Sequence, residues 1–304
     1  MELYKKYRPN SLNELYGQGA AVAMINEWIK ARKVPHAILL TGNSGVGKTT
    51  IARILRSAVG CHDNDYHESN CADARGIDDI RGINAKMRKK PFGKAIVYCM
   101  DECHQLPAAS QNILLKMLED TPKWVYFLLC TTDPQKIIKT VKTRCSSIQL
   151  ESLSPQELEK LILSVAKREG LEIHEDVIDA IVNAADGSAR QALVLLSDIA
   201  DVAGRAEQLA LVAKRDMASQ TLDICRALMD SRTTWADAIK ILNNLDLNDP
   251  EPARRAVLGY AAACLLKKDN LRAVMVIDYF ERSMYESGRA GFIFACRSVI
   301  VGRK

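Results

Sequence analysis

Gly42-Asn43-Ser44-Gly45-Val46-Gly47-Lys48-Thr49-Thr50 is the stretch whose reading decides the fold. Its spacing is Gly, four residues, then Gly-Lys-Thr. The apolar run Ala37-Ile38-Leu39-Leu40 leads into it, and the helix-like Ile51-Ala52-Arg53-Ile54-Leu55 follows. Strand, glycine-rich turn and helix, in that order, turn a pattern into a phosphate site. The backbone N–H groups of Asn43, Ser44, Gly45, Val46, Gly47, Lys48, Thr49 and Thr50 can wrap a phosphate chain at a helix N-terminus, where the dipole favours negative charge. Lys48 is placed to reach β- and γ-phosphates, and the Thr49 hydroxyl to ligate Mg²⁺. Alone, this stretch specifies a nucleoside triphosphate and no more.

Downstream, Ala95-Ile96-Val97-Tyr98-Cys99-Met100 reads as a buried parallel strand ending in Asp101-Glu102. Carboxylates at the C-terminal edge of such a strand sit beside the phosphate loop. Asp101 is expected to hold Mg²⁺ and Glu102 to polarise the attacking water. Val125 to Cys130 is a further apolar strand, ending at Thr131-Thr132-Asp133. There Thr132 either bonds a γ-phosphate or the attacking water, or belongs to a plain Asp133-Pro134 turn. Upstream, Tyr4-Lys5-Lys6-Tyr7-Arg8-Pro9 precedes an amphipathic helix near Ala20–Arg32. Tyr7 and Arg8 either wall a base or form an N-terminal arm, and spacing does not separate the two.

The 304 residues are 48% hydrophobic and 26% charged, values of an ordinary soluble globular protein of two or three domains. The net charge of +5 is too mild to argue for nucleic acid by itself. Nine cysteines lack paired spacing and the first residues are polar, so free thiols in a reducing, intracellular compartment are expected. Cys61-His62-Asp63-Asn64-Asp65-Tyr66-His67-Glu68-Ser69-Asn70-Cys71 holds two Cys and two His but no C-x₂-C or H-x₃-H unit. Zinc is therefore not expected there, and a loop leading into a second strand is. Residues 81–94 carry six basic residues and no acidic one. They form either a surface for phosphates or an acidic partner, or a solvated helix end.

Residues 1–150 thus alternate strand and helix, which predicts an α/β fold with a mostly parallel sheet covered on both faces. At Ser152 the composition shifts. Ser154-Pro155-Gln156-Glu157 is a capping box with Pro at the first helical position. Three helices over 151–205 form a small lid. Arg190 falls in the first turn of the third, where the dipole disfavours a cation, so a phosphate contact is expected. Residues 206–304 read as an all-α domain, with helices near Ser219–Met229, Trp235–Leu245, Pro252–Lys267, Leu271–Tyr285 and Phe292–Val301. Their surplus apolar surface fits either subunit packing or a well-packed bundle.

Several stretches together resemble one family. They are Tyr7-Arg8-Pro9 with Gly17-Gln18, the run from His36 to Thr50, Arg75 to Arg81, Asp101-Glu102-Cys103-His104, Thr131 to Lys136, Thr143-Arg144-Cys145, and Asp186 to Leu193. In this order they are similar to the AAA+ clamp-loader ATPase subunits: the bacterial DNA polymerase III gamma/tau type and, more distantly, the small subunits of replication factor C. The likeness covers roughly residues 1–205. Beyond that, only helical character and length match the family's collar domain.

The resemblance implies an AAA+ P-loop domain, a helical lid and a collar through which subunits oligomerise. It implies ATP and Mg²⁺ as ligands, and hydrolysis to ADP and phosphate. It implies that Arg144 acts in trans on ATP held by a neighbouring subunit, and that Arg190 touches the γ-phosphate of its own subunit. The partners implied are other loader subunits in a pentameric ring or spiral, a sliding clamp and primer-template DNA, in the cytoplasm of a bacterial cell or phage-infected host. Arg75, Arg81 and Lys86 would face DNA, and Met87, Lys89 and Lys90 the clamp. The four-cysteine zinc module of gamma subunits is absent or collapsed to Cys61 and Cys71, as in a compact, divergent member such as a phage-encoded one. Two alternatives are a non-hydrolysing AAA+ scaffold subunit and another AAA+ DNA motor such as a helicase loader. The complete set Lys48, Thr49, Asp101, Glu102 and Arg144 favours the hydrolysing loader.

Overall fold

Continuous apolar runs with no polar interruption make central strands, because both faces of a parallel sheet are covered. The computed structural model describes residues 2–73, 77–267 and 269–302; for 77–79, 81, 85 and 216–219 it describes the backbone alone. The chain divides into two compact units, Met1–Arg205 and Ala206–Lys304.

In chain order the first unit runs α1 (Leu3–Lys6), α2 (Gly19–Lys30), β1 (Ala37–Thr41), α3 (Lys48–Ala58), β2 (Cys61–Asn70), α4 (Ile77–Lys86) and β3 (Ala95–Asp101). It continues through α5 (Ala108–Glu119), β4 (Val125–Thr131), α6 (Lys139–Lys142) and β5 (Ser146–Gln149), then α7 (Pro155–Glu169), α8 (Glu175–Ala185) and α9 (Ala189–Ile199). All five strands are parallel, in the order β2-β3-β4-β1-β5. Side chains alternate between the faces of a strand. Ile38 and Leu40 therefore join Val97, Cys99, Leu128 and Cys130 against Ile51 and Leu55 of α3. Leu39 faces the other way with Tyr98, Met100, Phe127 and Leu129, against Leu114 and Met117 of α5. The result is a sheet between two helical layers.

β2 departs from the sequence reading. The segment expected to be a loop before a strand is the strand itself, ten residues at the sheet edge. An edge strand bonds on one side only, so it tolerates His62, Asp63, Asn64 and Glu68 facing water, and such charge discourages pairing with another chain. Its register against β3 shifts between Cys61 and Tyr66. In that interval Asp65 is buried and accepts the Gly93 N–H at 2.7 Å. Cys61 and Cys71 stand at opposite ends of this strand; its ends lie opposite Ala95 and Asp101 of β3, about 20 Å apart at the usual rise, too far to share a metal.

The lid helices follow their sequence signals. Ser154 Oγ accepts from Glu157 N–H, Glu157 Oε2 accepts from Ser154 N–H at 2.8 Å, and Pro155 fills the first helical position. Such a cap contributes about 1 kcal/mol. Gly170 ends α7 in the left-handed region. Ser188 caps α9 by accepting from Gln191 N–H at 3.2 Å.

The second unit is helical: α10 (Arg205–Met229, its first residue closing the first unit), α11 (Trp235–Asn244), α12 (Glu251–Lys267), α13 (Leu271–Phe280) and α14 (Gly288–Val301). Its core gathers Ile224, Leu228, Leu242, Val257, Val276, Phe280, Phe292 and Val299, with Phe280 and Phe292 edge to face at 5.3 Å. α13 stops at Phe280, short of the expected Tyr285. Arg254 explains this: its Nη1 donates to the carbonyls of Phe280 at 2.8 Å and Glu281 at 3.1 Å, closing the helix end. Glu251 takes both Arg254 nitrogens at 2.9 Å and the Met284 N–H at 2.5 Å. Among the described residues no helix is long and apolar enough to cross a membrane.

Candidate functional site

The strand order puts β4 between β1 and β3, so the C-terminal ends of these three strands adjoin. Ligands bind at such an edge of an open α/β sheet. A cavity of about 430 Å³ opens there. Of the residues singled out from sequence, Tyr7, Arg8, Ser44, Gly45, Val46, Gly47, Lys48, Thr49, Thr50, Asp101, Glu102 and Arg190 line it.

The loop after β1 has the conformation its glycines permit. Gly42 has φ +143°, and a Cβ there would lie 2.4 Å from the Leu150 carbonyl oxygen. Gly45 has φ +78°, and a Cβ would lie 2.0 Å from Ser188 Oγ. The second contact shows how closely the start of α9 approaches the loop. Asn43 does not line the cavity; its side-chain amide donates to Ser152 Oγ at 3.0 Å, tying the loop to the start of the lid.

Lys48 is 6% exposed and donates to the carbonyls of Gly42 at 2.8 Å and Asn43 at 2.7 Å. Burial pushes its pKa down, partly offset by Glu102 and Asp101. Thr49 Oγ1 donates to Asp101 Oδ2 at 3.0 Å, which brings together a hydroxyl and a carboxylate from two elements, oxygen donors of the kind that could hold Mg²⁺. Glu102 sits in the left-handed region at φ +51°, with its N–H donating to Asp101 Oδ1 at 3.0 Å. Thr132 lies behind the lining and donates to Glu102 Oε2 at 3.1 Å.

Arg8 and Arg190 also line the cavity. Burial lowers the Arg8 pKa, and the neighbouring guanidinium groups of Arg53 and Arg190 lower it further. Arg53 is neutralised by Glu68, with bonds of 3.1 and 3.0 Å. Arg190 lies over the Tyr4 ring at 5.6 Å. Among the described residues neither Arg8 nor Arg190 has an ion-pair partner. Tyr7 donates its hydroxyl to Glu169 at the end of α7, and Lys6 pairs with the same carboxylate at 2.5 Å. The N-terminal arm is thereby fastened to the lid, and Leu161 and Val165 of α7 supply an apolar wall.

Other sequence expectations lie elsewhere. Arg144 is exposed and outside the cavity; its guanidinium pairs with Glu119 and donates to the Thr140 carbonyl at 3.2 Å. Arg75 and the side chain of Arg81 lie outside the described residues. Lys86, Lys89 and Lys90 are exposed. Met87 is not available for a surface contact. The turn closed by Met87 N–H to Ile83 O extends α4 by one step and directs the side chain into the core, 1% exposed. The exposed apolar side chain of this segment is Phe92, 79% exposed. Sequence reading also passed over Tyr4 and His104. Tyr4 carried no spacing signal, while His104 stood two residues from Glu102 in plain view.

Residues 17–78 and 72–154 match the family model described as DNA polymerase III, delta subunit, which is less than half of the chain. The chain is similar to the DNA polymerase III subunit tau of Bacillus subtilis, 28% identical over 83% of this chain and 49% of that one. It is similar also to the DNA polymerase III subunit gamma of Buchnera aphidicola, 33% identical over 64% of this chain and 60% of that one. The chain therefore spans about half the length of these relatives. Among solved structures, a RuvB variant of Thermotoga maritima aligns with a TM-score of 0.59 at 19% identity, over 88% of this chain and 90% of that one. The RuvB Holliday junction branch migration motor of the same organism aligns at 0.54 and 18% identity, with the same coverage. At such identities the likeness is one of fold. By fold the chain is like the RuvB structures, an AAA+ P-loop fold, and by sequence it is similar to the bacterial DNA polymerase III gamma and tau subunits.

Proposed function

We propose that the chain is an ATP-hydrolysing motor subunit of a DNA sliding-clamp loader. The observation that carries the reading is the charge arrangement of the cavity. Lys48, Arg8 and Arg190 line the same cavity as the Thr49–Asp101 pair, and among the described residues none of the three has an ion-pair partner. A polyphosphate supplies the missing anion, and the loop N–H groups with the α3 dipole hold it.

In this reading Lys48 leaves the Gly42 and Asn43 carbonyls to meet β- and γ-phosphate oxygens. Arg190 leaves the Tyr4 ring for the γ-phosphate. Tyr7, Arg8, Leu161 and Val165 enclose the base. Thr49 and Asp101 would hold Mg²⁺, which neutralises charge on the β- and γ-oxygens when bound. Glu102 orients a water whose oxygen bonds to Pγ as the bond from Pγ to the β,γ-bridging oxygen breaks; the proton passes through Glu102 to solvent.

Arg144 supports the transition state on the nucleotide of the next subunit. Its exposure, and its place outside its own cavity, support that role. A trans arginine contributes about 10³–10⁵-fold in rate, so the isolated chain should hydrolyse ATP slowly. Lys86, Lys89, Lys90 and Phe92 form an exposed basic and aromatic surface, which supports a contact with clamp or primer-template DNA.

The test is ATP hydrolysis by the chain assembled with its loader subunits, with and without clamp and primer-template DNA. Stimulation by both is expected. Tight ATP binding with no hydrolysis under any of these conditions would favour the scaffold reading instead. Arg144→Ala should leave ATP affinity nearly intact and remove most of the stimulation. An equal loss of binding and hydrolysis in a folded protein would refute the trans role.

A further inference from the structure

One buried imidazole beside Glu102 has no part in the reaction above. His104 lies in the single helical turn Cys103–Gln105 that follows Glu102, with its side chain 7% exposed. Its Nδ1 is 3.2 Å from Glu102 Oε2 and 3.1 Å from Thr131 Oγ1. Its Nε2 is 2.9 Å from the side-chain amide nitrogen of Gln105. An amide nitrogen only donates, so Nε2 is the acceptor and the ring proton sits on Nδ1. In this structure that proton is directed at Thr131 Oγ1, with Glu102 Oε2 3.2 Å from the same nitrogen. Thr131 is itself fixed: it is fully buried, and its Oγ1 accepts the Asp133 N–H at 3.0 Å.

Glu102 Oε2 accepts the Thr132 hydroxyl at 3.1 Å. The Thr132 hydroxyl and, at 3.2 Å, the His104 Nδ1 therefore approach one oxygen of a carboxylate whose backbone is in a conformation uncommon for a side chain of this size. The other oxygen, Oε1, is left to accept from water. We infer that His104 is a positioning residue: its Nδ1–H, with the tautomer set by Gln105, holds Glu102 Oε2 so that Oε1 meets the attacking water. The inference rests on the reading of Glu102 as the water-orienting carboxylate.

Single-turnover hydrolysis by the full chain in excess over radiolabelled ATP, together with the affinity for a fluorescent ATP analogue, tests it in four variants. His104→Leu keeps much of the volume and loses the donor. The rate should fall about tenfold, the worth of one hydrogen bond to a charged group, with affinity unchanged. His104→Asn puts an amide N–H near the position of Nδ1 and should recover most of the rate. Gln105→Leu frees the tautomer without touching Glu102 and should cost a smaller factor, about threefold; it serves as the readout if His104→Leu does not fold. Glu102→Gln is the reference.

Full rate in His104→Leu or, where that variant does not fold, in Gln105→Leu, while Glu102→Gln is inactive, overturns the inference and leaves the Glu102 reading standing. A rate that His104→Asn does not recover, or an affinity that falls as much as the rate, also overturns it. If Glu102→Gln turns over at the parental rate, the Glu102 reading fails and the inference with it.

Discussion

The two units treat charge in opposite ways. In the second, Glu251 and Arg254 are 3% and 9% exposed, and each is matched: carboxylate to guanidinium, guanidinium to the carbonyls of Phe280 and Glu281, carboxylate to the Met284 N–H. In the first, Arg8 and Arg190 stand at the cavity with no ion-pair partner among the described residues, and Lys48 donates to loop carbonyls. A buried charge must be matched within the fold, because leaving one partner alone costs much of the desolvation of both. A charge at the mouth of a cavity can wait for its match, because water serves until a ligand arrives. In the helical core matched charge therefore marks structure, and at the cavity unmatched charge marks the candidate site.

The largest expected effect falls on rate alone. Glu102→Gln should slow turnover by about 10²–10⁴-fold, the usual worth of a positioned general base. ATP affinity and melting temperature should stay near the parental values. Calorimetry beside a single-turnover assay reads both, and a large loss of melting temperature would break the division between the two kinds of charge. The mirror-image change is Arg254→Met. It strands Glu251 and frees the end of α13, so the melting temperature of the second unit should fall by more than about 5 °C. ATP affinity should not change. A double variant, Arg254→Met with Glu251→Leu, should recover part of the loss, since neither charge is then left alone.

The same division explains what was legible in the sequence. The strands β1, β3 and β4 announce themselves as unbroken apolar runs, and Gly42 to Thr50 announces the phosphate loop, because each depends on neighbours in sequence. β2 was missed as a strand because an edge needs partners on one side only and can be as polar as a loop. The end of α13 was misplaced because Arg254, on another helix, sets it. The resemblance puts Met87 at a clamp contact, whereas one further step of α4 carries it inward. The Thr131–His104–Glu102 contact needs β4 laid beside β3, which no local pattern encodes. Arg190 is the useful intermediate case: its awkward place in a first helical turn was visible in the sequence, and the fold sets it over the loop.

That residue gives the next test. Among the described residues Arg190 has no ion pair to lose; its guanidinium lies over the Tyr4 ring. Arg190→Ala should lower ATP affinity by about tenfold, the loss of one charged hydrogen-bonding group, with little change in melting temperature measured without nucleotide. A marked loss of stability would mean that the cation has a structural partner after all, and would blur the contrast with Arg254.

The smallest effect sharpens the comparison inside the first unit. Ser154 and Glu157 form a matched local network at the start of α7. Ser154→Ala should cost about 1 kcal/mol of stability, with ATP affinity barely affected. The backbone N–H and hydroxyl of Ser154 hold the Glu157 carboxyl below the usual carboxylate range. A carboxyl depressed in the folded state stabilises at pH values above its unfolded pKa, and that contribution is lost as pH falls through the folded value. The difference in melting temperature between parent and Ser154→Ala should therefore be full at neutral pH and shrink on acidification. It should not vanish, because Ser154 Oγ also accepts the Glu157 N–H, a bond that does not titrate. A difference constant with pH would assign the whole effect to that bond and none to the carboxylate.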